Sequence, residues 1–178
     1  MNEKTLFGLL KSNPKYVNWT QAFIDFDLDR EVIDKYKYKV DWNTFSSNCS
    51  NLNMIRKCLN NVNWYYISAD QKLSEDFIRE FQDKVSWHQI SWYQKLSEDF
   101  IREFKDTLYW AGISLSQILS EDFIREFQDE VYWGNISSHQ ELSEDFIEEF
   151  QDKVNWNGIS ANQNLSDEFK EKHKDKLC

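Results

Sequence analysis

The sequence predicts an all-α fold: a solenoid of about seven short helix-turn-helix repeats of 23 residues, closed by a C-terminal capping helix. Three observations predict it. The phrase LSEDFIREF at 73–81 returns at 96–104 and 119–127, and again as LSEDFIEEF at 142–150. Trp19, Trp42, Trp64, Trp87, Trp110, Trp133 and Trp156 keep one phase through the chain, each 22 or 23 residues after the last. Each repeat also divides into two halves that carry their own helix-start signals.

The array begins with a degenerate unit, residues 1–27, in which Leu9, Leu10 and Val17 hold the apolar places while Asn13 and Pro14 mark a cap. Repeats fill residues 28–164. The first starts at Leu28 with Val32, Ile33, Tyr36 and Val40, and the next supplies Met54, Ile55, Cys58 and Val62. Regular units then start at Leu73, Leu96, Leu119 and Leu142, and a fragment starts at Leu165. No linker interrupts them, so residues 1–178 are expected to be one repeat domain.

In the first half of a repeat, Ser74 precedes Glu75 and Asp76, an N-cap followed by acids that offset the positive end of a helix. Phe77, Ile78 and Phe81 form one apolar stripe, and Glu75 to Arg79 is an i,i+4 ion pair. This half is expected to be a helix of about ten residues. In the second half, position fourteen is Asn18, Asp41, Asn63, Ser86 or Asn155 in five units, a good N-cap just before the in-phase tryptophan. An isoleucine three residues after that tryptophan, and a glutamine near the end of the unit, outline a second short helix. Gly112, Gly134 and Gly158 in its first turn weaken it, each by up to ~1 kcal/mol. The alternative is a short strand at Val85–Trp87 in an α/β horseshoe of the leucine-rich-repeat type, whose L-x-x-L-x-L-x-x-N frame is missing.

A hairpin of this size cannot bury its own Phe, Ile, Val and Trp side chains, so the units must stack. Phe77, Phe100, Phe123, Phe146 and Phe169 then form one ladder and the tryptophans a second, buried one. Residues 165–178 keep the LS-x-x-F start but carry Lys170 for the apolar Ile and His173 for the second Phe, as a capping helix with a polar outer face would.

The net charge of −10 disfavours a nucleic-acid partner, because affinity for a polyanion comes from Lys and Arg. The opening MNEKTLFGLLKS has no cleavage-site pattern and too short an apolar run to span a bilayer, so a cytoplasmic protein without a membrane is expected. Cys49, Cys58 and Cys178 lack metal or redox spacing and are expected as reduced thiols. His88, His139 and His173 fall at three different places in the repeat, which predicts neither a metal site nor a His-centred triad. The Glu-Asp doublets are expected on solvated first turns. With no glycine-rich phosphate loop either, no cofactor and no enzymatic activity are expected.

The positions that differ between repeats are the candidates for function. Positions 16, 17, 20 and 21 vary, and they include Tyr65, Tyr66, His88, Gln89, Trp92, Tyr93, Leu115 and His139. Trp92 is the one tryptophan out of phase, and aromatic residues of this kind anchor interfaces. This stripe is the expected partner-binding face. The four regular units carry −1, −2, −5 and −4, and the cap carries Lys170, Lys172, Lys174 and Lys176, so a partner with a basic surface would be attracted.

Written out as LSEDFIREFQDKVSWHQISWYQK, the repeat resembles the tandem 22–23-residue repeat proteins encoded by large DNA viruses of protists. The resemblance covers residues 28–178 and lies in LSEDFIREF, the V-x-W pair and the IS-x-x-Q ending. It implies a viral protein in a host cytoplasm with a binding role, and it supplies no catalytic residues. The expectation is a non-enzymatic, monomeric scaffold that binds another protein, with a host factor as the target the resemblance implies. The alternatives are a structural or assembly protein, and an acidic mimic that binds a basic protein surface.

Overall fold

A computed structural model describes Gly8 and residues 14–177. Leu9, Leu10, Asn13 and Cys178 lie outside the described residues, so the N-terminal cap is seen only from Pro14 onward. Among the described residues there are fourteen α-helices and no strand. The second half of the repeat is therefore a helix, and the horseshoe with a Val85–Trp87 strand is not formed. Two compact units are distinguished, Met1–Gln89 and Ile90–Cys178.

In the first unit, three second helices, Trp19–Asp25, Trp42–Asn48 and Trp64–Asp70, pack in succession. Asn18, Asp41 and Asn63 cap them, each accepting a backbone N–H of the first turn. The first helices of these repeats are Arg30–Tyr36, Leu52–Lys57 and Glu75–Glu80, capped by Asp29, Asn51 and Ser74. Ile33, Met54, Ile55, Phe77 and Ile78 fill the core. A further second helix, Trp87–Tyr93, spans the junction of the two units.

The second unit repeats the plan. First helices Glu98–Glu103, Glu121–Glu126, Glu144–Glu149 and Asp167–Lys172 are capped by Ser97, Ser120, Ser143 and Ser166. Second helices Trp110–Ser116, Trp133–His139 and Trp156–Asn162 pack in succession. Within each unit the second helices approach backbone to backbone, whereas the first helices meet through longer side chains.

The first helices are six residues long in the regular repeats, not ten. Each stops at its second Phe: Phe81 leaves helical geometry at φ −115°, ψ 28°, and its carbonyl accepts from both Lys84 and Val85. The chain thus turns tightly and returns Val85 to the core without a further helical turn. The phenylalanines expected in a ladder, Phe77 in the first unit and Phe100, Phe123, Phe146 and Phe169 in the second, are all buried.

The tryptophans differ from expectation. Only Trp19 is buried; Trp42, Trp64, Trp87, Trp110, Trp133 and Trp156 are half-buried. Trp110 leans over Phe123 and Phe127 of the next repeat, with ring centroids 6.3 and 5.0 Å away, and Trp133 does the same over Phe146 and Phe150. Each indole Nε1 seen at these joints donates to the carbonyl five residues back, as Trp133 does to Gln128 at 2.9 Å. The indoles wall the core; they do not form it.

Candidate partner-binding surface

The joints between repeats decide which side chains remain available, and most are polar. Ser137 is fully buried; its Oγ donates to the Trp133 carbonyl at 2.6 Å and accepts from the Asn155 N–H at 2.8 Å. Ser46, Ser68, Ser91 and Ser114 likewise accept from Asn63, Ser86, Tyr109 and Tyr132. Gln140 donates to the carbonyls of Gln117 and Ser114 and accepts from the Leu119 N–H, and Gln163 repeats this one step on. A buried polar spine therefore runs through each stack, satisfying backbone groups that would otherwise be stranded.

Between first helices Arg102 donates to Glu126 of the next repeat at 2.8 Å and lies 4.9 Å from the Phe123 ring. Arg125 does so with Glu149 and Phe146, and Arg56 with Glu80 and Phe77. The bond to Glu126 holds the Arg102 guanidinium pKa above its ordinary value. The Glu-Asp doublets are split in role: Asp76, Asp99 and Asp122 are exposed as expected, but Glu98 and Glu121 are half-buried. Their carboxylates accept from the Ser120 and Ser143 N–H groups of the following repeat, so they are joints rather than merely solvated charges.

These joints sort the eight candidate residues. Position 17 faces the neighbouring repeat. Gln89 is only 5% exposed and its amide donates to His88 Nδ1 at 3.0 Å. A Cβ on Gly112 would lie 3.1 Å from the Ser91 backbone and from Trp92 Cδ1, and one on Gly158 only 2.6 Å from Ser138 Oγ. Gly112 and Gly158 thus serve close approach, whereas Gly134 stands in open space. Positions 16 and 21 are mostly exposed, and position 20 is mostly half-buried. In the first unit Tyr65 and His88 are exposed, and Tyr66 is half-buried with its ring edge-on to Tyr65 at 5.4 Å. In the second unit Tyr93 and His139 are exposed, while Trp92 and Leu115 are half-buried. The His139 ring nitrogen Nδ1 lies 3.2 Å from the Asn135 carbonyl.

Two exposed aromatics escaped the sequence reasoning. Tyr109 and Tyr132 occupy position fourteen, where other repeats carry a cap, and they are 52% and 56% exposed. The signal was present: a capping residue is missing from both.

Burial raises the thiol pKa values of Cys49 and Cys58, that of Cys58 to about 11, which keeps both protonated and unreactive. No group of three or more His, Cys, Asp or Glu suited to a metal occurs among the described residues, and no helix there is long and apolar enough to cross a membrane.

The fold defines an all-α tandem-repeat protein built from helical hairpins. Comparison with known protein families, curated proteins and solved structures finds no match to this chain.

Proposed function

We propose that this chain is a non-enzymatic scaffold that binds another protein through the variable positions of its second helices. One observation supports the reading most: the serines, glutamines and arginines that make the joints recur, whereas positions 16 and 21 differ from repeat to repeat and are mostly exposed. Exposed tyrosines at such places, Tyr65 and Tyr93, have the chemistry of interface anchors. The repeat's resemblance to viral arrays makes a host protein the proposed target, met in the host cytoplasm.

The test is affinity capture from host lysate with the wild type and with Tyr65→Ser and Tyr93→Ser variants. Because both side chains are exposed, folding should be unaffected, and a specifically captured protein should be lost from at least one variant. Retention of every captured protein by both variants would remove this face from the proposal.

End-to-end assembly is the second reading. Against it stands the last helix, Asp167–Lys172, with exposed Lys170 where the other repeats bury an isoleucine. Growth of light scattering with concentration would favour assembly.

A further inference from the structure

The grooves between successive repeats of the second unit hold a lysine of the chain itself at two joints and lack one at a third. Lys153 donates to Gln128 Oε1 at 2.9 Å and Asp129 at 3.0 Å, and its ammonium lies 5.9 Å from the Trp133 ring. Lys176 repeats this one joint later, 2.9 Å from Gln151 Oε1 and 4.8 Å from the Trp156 ring. The grooves beside Trp133 and Trp156 are therefore cation sites, in which an ammonium meets an aromatic face and acceptor oxygens.

At the Trp110 joint the equivalent residue is Glu130. No cationic side chain of the described residues lies over Trp110 there. An open groove of about 480 Å³ remains, lined by Trp110, Leu108 and Phe127 and by the acids Asp106, Glu126, Asp129 and Glu130. Glu126 is paired with Arg102 and Asp129 with Lys153. Asp106 and Glu130 have no cationic partner among the described residues. Lys105, the one basic residue lining the groove, stands where Gln128 and Gln151 stand at the next joints.

An adjoining groove shares Trp110, Asp129 and Glu130 and runs out to Tyr109 and Tyr132. Those tyrosines replace helix caps, and neither Trp110–Ser116 nor Trp133–His139 has a side-chain cap. Two neighbouring repeats thus forgo a stabilising residue and present aromatic rings at the joint whose lysine is missing.

We infer that this joint takes a lysine or arginine side chain from an extended basic segment of a protein partner, seated against Trp110 and between the Tyr109 and Tyr132 positions. The partner's cation fills the place that Lys153 and Lys176 fill at the following joints. The inference rests on the scaffold reading and gives it a site and a partner chemistry: aromatic faces and carboxylates select a cation on a flexible stem.

The probe is a fluorescently labelled Gly/Ser peptide with spaced lysines, compared with the same peptide carrying glutamates and measured by anisotropy. The wild type should bind the lysine peptide, with affinity falling as salt rises, and should ignore the glutamate peptide. Glu130→Lys supplies the missing lysine from within and should weaken binding about tenfold without lowering Tm. Tyr109→Asn with Tyr132→Asn restores two caps, so Tm should rise while binding weakens.

Equal binding of both peptides, no binding by the wild type, or full binding by Glu130→Lys would each overturn the inference. So would a concentration-dependent dimer in sedimentation that Glu130→Lys abolishes, since the occupant would then be a second copy. Loss of a captured partner with Tyr93→Ser but not with Glu130→Lys would remove this site and leave the scaffold reading standing.

Discussion

Glu148 and Lys172 make the bridge that Arg125 and Glu149 make one joint earlier, with the charges exchanged between the two sides. Glu148 replaces the arginine of the repeat and Lys172 the glutamate, and His173, buried where a Phe would be, adds a contact to Glu148 at 2.7 Å. The capping helix is thereby matched to the last repeat alone. Glu148→Arg sets an arginine beside Lys172 and should loosen residues 165–177, seen as faster amide exchange there. Adding Lys172→Glu recreates the internal pair and should restore protection; equal exchange in both variants would show that the pairing has no such role.

Acid should act on the same joints. Lys172, then His173, hold the Glu148 carboxyl below its ordinary pKa of 4.5, and Arg56 does so for Glu80. A carboxyl whose folded pKa is depressed contributes stability above its unfolded pKa and loses it as pH falls through the folded value. Thermal melts from neutral pH to about pH 3 should show stability falling below about pH 4.5, and less steeply in a Glu80→Gln, Glu148→Gln variant.

The polar spine should be costly to break. Ser137→Ala removes the acceptor of the part-buried Asn155 N–H and the donor to the Trp133 carbonyl, and should destabilise the protein by about 1 kcal/mol in denaturant unfolding. A similar change at exposed Ser116 should be close to neutral.

The glycines should separate by sign. Nothing lies within 4 Å of a Cβ built on Gly134, so Gly134→Ala should raise stability by up to ~1 kcal/mol through helix propensity. Gly112→Ala meets the Ser91 backbone at 3.1 Å and should cost about 1–3 kcal/mol by overpacking. The same unfolding measurement reads both.

Buried, protonated Cys49 and Cys58 should resist iodoacetamide at neutral pH in a Cys178→Ser variant. Labelling should appear only with denaturant; fast labelling of the native protein would contradict their burial.

What could be read from the sequence was what lies within a few residues. Ser74 to Phe77 is a local bond, and the Phe77–Phe81 spacing is a local stripe, so the first helices were legible. Their length was not, because a tight turn at Phe81 keeps Val85 at the same i+4 spacing that a longer helix would. The second helix was legible from caps such as Asn155. The roles of Ser137 and Gln140 were not: their partners stand 18 to 26 residues away, and a serine or glutamine offers no periodicity by which to tell a joint from a surface. At the candidate face, variation marked Tyr93 correctly as exposed, but Gln89 varies too and is buried, because a joint of this size accepts Gln, Gly or Asn.

The exchanged pair at Glu148 and Lys172 has an evolutionary corollary. Where successive joints accept the same partner, as Arg102 with Glu126 and Arg125 with Glu149 do, a copying slip that adds or drops a whole unit leaves that pair satisfied. The terminal lock travels with its own keyhole, since Glu148 lies in the last full repeat and Lys172 in the cap. The array is therefore free to change length among these units while the Glu148–Lys172 pair stays intact.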